Sequence, residues 1–388
     1  MSSVNQFLSS QRPGLYVHIP FCQSKCGYCD FYSITDQSWQ TNFIHSLCDE
    51  LKFYQNEAKN YTFDTIYFGG GTPSVLKINE LSRVIETINR NYSIADNSEI
   101  TIEINPGTVD YDQLKSYRQM GFTRLSIGVQ SFNDDELRIL QREHTSDDNY
   151  KTIKYARRSG FENISIDLIY ALPRQTKDVW SKTLNQAVVL QPEHISTYNL
   201  TIEEGTPFYD LLRSGQISLP SNDKEANLFS LTGEILSKGG FQRYEISNFA
   251  RSADFISHHN AKYWDHTPYL GFGPFAHSFW NNKRYSNIRS VGDYINKLNH
   301  SIAPVAQSEV LSLQTLMFES IFLGLRTREG VNLRTFHKRY NKDFTDLYAK
   351  PIQILTSKRL AFIKDQQFQL TQKGLLLSDE ILPLFLPN

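Results

Sequence analysis

Tyr16-Val17-His18-Ile19-Pro20-Phe21-Cys22-Gln23-Ser24-Lys25-Cys26-Gly27-Tyr28-Cys29-Asp30-Phe31 holds three of the chain's four cysteines, spaced C-x3-C-x2-C. The apolar run before it, residues 14–19, reads as a β-strand, so Cys22, Cys26 and Cys29 stand in the loop above its end. Thiolates are soft ligands that suit iron–sulfur clusters, zinc and copper(I). A structural zinc site is usually closed by four ligands. Three thiols in one tight loop with no fourth close by point instead to a [4Fe–4S] cluster with one iron left open. Such an iron binds a small molecule and passes it an electron. A zinc loop completed by a distant histidine such as His45 is the competing reading. Tyr16 and His18 share a strand face, Tyr16 as a residue near the cluster or its ligand and His18 as a core histidine.

The pattern of strand then helix repeats from residue 14 to about 200. Short apolar runs at 14–19, 65–68, 99–104, 124–129, 163–168 and 194–200 predict strands. Amphipathic segments such as 39–55, 78–91, 111–121 and 147–160 predict helices between them. Six β-α units in series imply a parallel sheet with helices outside, curled into a full or partial barrel. In such barrels chemistry sits at the C-terminal ends of the strands. The polar motifs obey that rule. Gly69-Gly70-Gly71-Thr72-Pro73 follows the second strand, where glycine lets backbone approach an amino-acid-like ligand. Glu103 ends the third strand and suits a ribose or an ammonium group. Gln130 ends the fourth, offering a donor and an acceptor, and Arg142 follows with a fork of donors for a carboxylate. Asp167 lies on the fifth strand.

After residue 200 the alternation fades into short helices and aromatic-rich loops. From about 304, helices at 311–325 and 333–340 precede a helix, a β-hairpin over 360–370 and a last helix at 375–382, a winged-helix-like order. Three regions are therefore expected: 1–215, a barrel with the cysteine loop; 216–303, a connecting extension; and 304–388, a small α+β module. The chain has 388 residues, with 40 Lys and Arg against 41 Asp and Glu. That balance does not recommend nucleic acid as a partner. Four cysteines, three in one loop, are not a disulfide framework, and a labile cluster needs a reducing compartment, so a cytoplasmic location is expected. Residues 1–13 are polar, with no apolar core of a secretory signal, and no apolar run is long enough to span a bilayer. Cys48 shares a helix face with Ile44 and Leu51 and reads as core.

The cysteine spacing, with Tyr28 just before the third thiol, resembles the radical S-adenosylmethionine (SAM) enzymes. With residues 69–73, 103–107, 128–132, 167–173 and 244–250, nearly the whole chain resembles the oxygen-independent coproporphyrinogen III oxidase (HemN) family. The fold implied is α/β, a radical SAM partial (βα)6 barrel with a C-terminal α+β winged-helix-like domain of the HemN type. The resemblance implies that Cys22, Cys26 and Cys29 hold a [4Fe–4S] cluster whose fourth iron is chelated by SAM. It implies that Tyr16, Tyr28, Gly71, Thr72, Glu103, Gln130, Arg142 and Asp167 serve the cofactor site.

Within that family the chain is similar to the HemW branch, the haem chaperones. HemN oxidases carry a longer segment before the cysteines and a further cysteine two places past the third, where this chain has Phe31. His259-Asn260-Ala261-Lys262-Tyr263-Trp264 matches the H-N-x-x-Y-W stretch associated with haem in that branch, which implies His259 as an axial haem ligand flanked by Tyr263, Trp264 and Phe272. His258 and His277 compete for that role. Gln141, Arg174 and Pro274-Phe275 depart from the family pattern, which usually has glycine before Arg142 and small residues near the others. The expected function is haem binding and delivery to haem-accepting respiratory proteins, with transient membrane-protein contact and a homodimer among the expected associations and no nucleic acid. The alternative is SAM-dependent decarboxylation of coproporphyrinogen III. A winged-helix nucleic-acid binder with a structural metal leaves the strand-end residues unexplained.

Overall fold

The computed structural model describes residues 11–386. The first ten residues of the polar stretch read over 1–13 lie outside the described residues.

Six parallel strands form the centre: β1 (Gly14–Ile19), β2 (Thr62–Gly70), β3 (Ser93–Ile104), β4 (Arg124–Gln130), β5 (Asn163–Tyr170) and β6 (His194–Asn199). Each follows a period of two. Leu15, Val17 and Ile19 on β1, Ile66 and Phe68 on β2, Ile102 and Ile104 on β3, and Leu125, Ile127 and Val129 on β4 form one buried apolar face. They share a core with the apolar stripes of α1 (Gln40–Ala58), α2 (Ile78–Asn91), α3 (Tyr111–Gln119), α4 (Ser146–Arg158) and α5 (Lys177–Val189). Burial of each such Leu, Ile or Phe contributes roughly 1.5–3 kcal/mol. The alternate positions are polar and also buried: Thr65, Thr101, Arg124, Ser126, Ser165, His194 and Ser196. The oily layer therefore lies between strands and helices, and the concave interior of the sheet is polar.

The sheet is wider than six strands. Its order is β12-β11-β10-β9-β1-β2-β3-β4-β5-β6-β8-β7. Residues 216–303, expected as short helices and loops, supply five of these strands: β7 (Gln242–Arg243), β8 (Asn248–Ala250), β9 (Tyr269–Phe272), β10 (His277–Trp280) and β11 (Lys283–Asn287). They also form helices α6 (Asn222–Lys238), α7 (His258–Trp264) and α8 (Val291–Asn299). These strands are two to five residues long, too short for a clear alternation signal. β9 runs parallel to β1, and β10, β11 and β12 (Val305–Val310) continue antiparallel to the edge.

The C-terminal module packs α9 (Leu313–Gly324) and α10 (Leu333–Tyr340) against an antiparallel sheet of β13 (Val331–Asn332), β14 (Ala361–Lys364) and β15 (Gln367–Leu370). The hairpin turns through Asp365 and Gln366, both at positive φ (49° and 63°), as a two-residue turn requires. Phe336, Phe344, Phe368 and Phe385 fill its core. The helix-then-hairpin order matches the expectation. The last helix instead divides into Gln372–Leu376 and Ser378–Ile381. Among the described residues no helix is long and apolar enough to cross a membrane.

One buried carboxyl ties the outer strands to the barrel. Glu50 of α1 is fully buried and accepts from the Gly273 N–H (2.8 Å), Asn287 Nδ2 (2.6 Å) and the Tyr294 hydroxyl (2.6 Å). Burial raises its pKa from 4.5 to about 7 against the lowering effect of those three donors. The folded state thus holds a proton that the unfolded state releases above about pH 4.5, so stability falls as pH rises from there to about 7. Glu103 and Glu245, also raised by burial to about 7, add a slope of the same sign. Buried His18, His144 and His259, lowered to about 4, 4 and 3, act with the opposite sign below about pH 6.5, so the Glu50 contribution is read as a difference between the wild type and a variant. Relative to wild type, Glu50→Gln, which cannot ionise, should gain melting temperature as pH rises from about 5 to about 7; a pH-independent difference between the two would contradict this assignment.

Candidate functional site

Because β1–β6 are parallel, all six C-terminal ends meet at one mouth. A cavity of about 500 Å³ opens there. Cys22, Cys26, Cys29, Tyr28, Gly71, Thr72, Glu103, Gln130, Arg142 and Asp167 all line it. His45, the distant histidine of the zinc alternative, sits on the exposed face of α1 and is not among the lining residues.

The cysteine loop is docked by backbone. Gly71 N–H donates to Ile19 O (2.8 Å) and Thr72 N–H to Phe21 O (2.7 Å). A Cβ on Gly71 would lie 2.6 Å from Phe21 O, so only glycine permits this approach. These two donors hold the loop, while Gly71 and Thr72 still line the cavity. A chain of side chains then reaches the sulfurs. Arg142 Nη2 donates to Asn105 Oδ1 and to Gly128 O (3.2 Å), Asn105 Nδ2 donates to Thr72 Oγ1 (2.9 Å), and the Thr72 hydroxyl donates to Cys22 Sγ (3.5 Å). Arg142 Nη1 donates to Cys26 Sγ (3.5 Å). Donors aimed at sulfur tune a bound cluster. Burial pushes the Cys29 thiol up to about 11, with the Phe31 N–H opposing.

The far wall is acidic. The Tyr67 hydroxyl donates to Glu103 Oε1 (2.7 Å), and Ser126 Oγ donates to Asp167 Oδ2 (2.9 Å). Burial raises both carboxyls, Glu103 to about 7. An ammonium or hydroxyl donor arriving there would be received by a carboxyl already stripped of water. The donor set therefore has thiols for soft iron at one side, a guanidinium in the middle and carboxyls opposite. That set fits an open-iron cluster with an amino-acid-like, ribose-bearing ligand. Tyr67, Asn105 and Ser126 were missed at the sequence level. Tyr67 and Ser126 carry a signal in retrospect, since each sits two places before a mouth glycine (Gly69, Gly128) on the inward face.

Two predicted residues lie elsewhere. Tyr16 stands one layer behind the cavity, with its ring stacked on Tyr67 (6.3 Å) and its hydroxyl bonded to His18 Nδ1 (3.0 Å). His18 is a buried core histidine. His259 is at the opposite end of the barrel. Its Nδ1 pairs with Thr65 Oγ1 (2.9 Å), beside the start of β1, and its Nε2 with the Tyr263 hydroxyl (2.9 Å). It is 0% exposed, and burial holds it neutral with a pKa lowered to about 3. The Glu99 carboxylate caps its helix, accepting from the N–H of His258 (3.1 Å) and His259 (3.0 Å). In this conformation the H-N-x-x-Y-W helix plugs the barrel floor, and neither ring nitrogen of His259 is free for iron.

The three departures from the family pattern share a cause. Gln141 (φ 56°), Arg174 (φ 64°) and Phe275 (φ 61°) all hold left-handed backbone, where glycine or small residues are the easy choice.

The radical SAM superfamily's sequence profile matches residues 16–187, and that of the HemN C-terminal domain matches residues 311–377. The heme chaperone HemW of Lactococcus lactis is 36% identical, over 97% of this chain and 98% of that protein. The heme chaperone HemW of Bacillus subtilis is 35% identical, over 96% and 98%. The solved structure of coproporphyrinogen III oxidase (HemN) from Escherichia coli, a radical SAM enzyme, superposes with a TM-score of 0.84 at 25% identity, over 98% of this chain and 92% of that one.

Anaerobic reconstitution should give about four irons per chain for a [4Fe–4S] cluster. Cys22→Ser, Cys26→Ser and Cys29→Ser are each expected to lose nearly all of it. Cys48→Ser should retain it, because Cys48 is buried on α1 against Thr87 (3.4 Å), outside the cavity. Iron and sulfide analysis checks this, and full iron retention in a loop variant would remove that thiol from the site.

Proposed function

This chain belongs to the HemW family, built on the radical SAM fold, and we propose that it is a haem chaperone that binds haem and passes it to haem-requiring acceptor proteins, respiratory ones first among them. What carries this reading is that the likeness to HemW proteins runs through both the barrel and the C-terminal module. Phe31 supports it. It stands 69% exposed on the cavity rim, two places past Cys29, and offers no thiol there.

In this proposal Cys22, Cys26 and Cys29 hold a [4Fe–4S] cluster, and SAM occupies the acidic side of the cavity. When bound, the cluster would supply one iron not held by a thiolate and a route for one electron to the sulfonium. The chain's own residues orient and shield. Arg142 lies within reach of a ligand carboxylate and steadies the Cys26 sulfur. Glu103 and Asp167 receive the amino and ribose groups, and Tyr67 and Ser126 hold their carboxyls in place. Tyr28, edge-on to Phe208 (6.1 Å), lines the cavity beside the thiols. A thiolate-held cluster needs a reducing compartment, so the cytoplasm is the proposed location.

The close superposition on HemN favours a second reading, oxidative decarboxylation of coproporphyrinogen III. The two separate in one assay. Reconstituted protein is supplied anaerobically with SAM, a strong reductant and coproporphyrinogen III, and its porphyrin products are analysed. The chaperone reading expects no protoporphyrinogen beyond background from protein whose cluster is intact, while the same preparation binds haem stoichiometrically. Catalytic turnover to protoporphyrinogen would overturn it in favour of the oxidase.

A further inference from the structure

We propose that the haem iron is ligated by His277, in a patch with Tyr32, Phe275 and Arg289 at the barrel mouth, rather than by His259. The inference rests on the haem-binding reading above. It starts from placement. β9 is parallel to β1, with Tyr16 opposite Gly271 and Val17 opposite Phe272. The turn after β9 therefore emerges at the same end as the cysteine loop. Gly273 sits so close to β1 that a Cβ would lie 2.4 Å from His18 O. Phe275 and His277 come next, beside Tyr32, which lies three residues past Cys29.

A haem site needs an axial base, apolar contact for a flat macrocycle, and a cation for the propionates. The patch has all three. The His277 side chain is exposed, and no hydrogen-bond partner for it is seen among the described residues. Its own partial burial and the nearby Arg284 guanidinium lower its pKa, which favours the neutral imidazole that iron ligation uses. The Phe275 ring lies edge-on to His277 at 5.4 Å and edge-on to Tyr32 at 6.1 Å. The Arg289 guanidinium lies over both rings, 5.1 Å from Phe275 and 5.5 Å from Tyr32. Arg289 is exposed, so a propionate reaches it without displacing an ion pair.

Backbone strain points the same way. Phe275 is a bulky residue at φ 61°, where glycine would sit without cost. A strained aromatic kept beside a free histidine is the kind of outlier that marks a binding surface. His259 has the opposite properties: buried, doubly hydrogen-bonded and at the barrel floor. Haem bound at His277 would lie beside the cavity proposed for SAM, so cofactor occupancy and haem loading would share one rim.

The test titrates cluster-loaded protein with ferric haem. Fluorescence quenching reports affinity, and low-temperature EPR of the haem iron reports its ligand; the oxidised cluster is EPR-silent. His277→Ala is expected to bind roughly tenfold or more weakly and to lose the imidazole signature. His277→Met should retain haem with a changed ligand signature, which a merely misfolded variant would not do. Arg289→Ala should weaken binding several-fold without changing the signature. His259→Ala should keep the wild-type signature. If His277→Ala keeps wild-type affinity and signature, the ligand assignment is overturned while the chaperone reading stands. If the wild-type protein binds no haem, both fall together.

Discussion

Parallel pairing of six strands with a strict period-two alternation is the constraint on which the rest depends. It sends Leu15, Val17, Ile19, Ile66, Phe68, Ile102 and Ile104 outward to the helices and turns Tyr16, Thr65, Tyr67, Thr101 and Glu103 inward. A one-residue slip in any strand would exchange the two sets. The inward polar groups are costly to bury unless paired. Much of the interior is accordingly cross-linked: Thr65 with His259, Tyr67 with Glu103, Ser126 with Asp167, and Ser165 and Tyr244 with His194. These bonds hold the inward carboxyls at the mouth in fixed positions before any ligand arrives. The same parallel direction brings every strand end, and so every lining residue, to one opening.

The mouth is divided by charge and softness. Thiols stand on the loop after β1, and the glycine triplet of β2 exists to let that loop settle. Arg142 reaches both the sulfur side and Asn105, so one guanidinium links the cysteine loop to β3 and β4. Glu50 plays a matching part outside the barrel. It gathers the end of β9, Asn287 of β11 and Tyr294 of α8 onto α1, and so sets where the turn carrying Phe275 leaves the sheet.

The barrel and nearly all of its mouth were legible in the sequence, because long strands with strong alternation and motifs at strand ends carry their own signal. Cys22, Cys26, Cys29, Glu103, Gln130, Arg142 and Asp167 converge as expected. The outer strands were not legible. β7 to β10 are two to four residues each, and their place in the sheet comes from tertiary pairing rather than local pattern. The H-N-x-x-Y-W stretch was legible as a motif but not in its packing. Its His259 and Tyr263 are four apart on one helix and bond each other, a contact that spacing suggests but motif resemblance obscures. The residues that depart from the family pattern turned out to share left-handed backbone, which no propensity argument on side chains would have shown.

The central claim is directed haem transfer, and its most direct measurement is kinetic. Haem-loaded protein is mixed with a haem-requiring apoprotein acceptor, and separately with an excess of a passive haem scavenger. The account predicts that the acceptor fills faster than haem escapes to the scavenger, at a rate that rises with acceptor concentration. Filling at the same rate as escape, independent of the acceptor, would mean that the chain only releases haem, and would contradict the account.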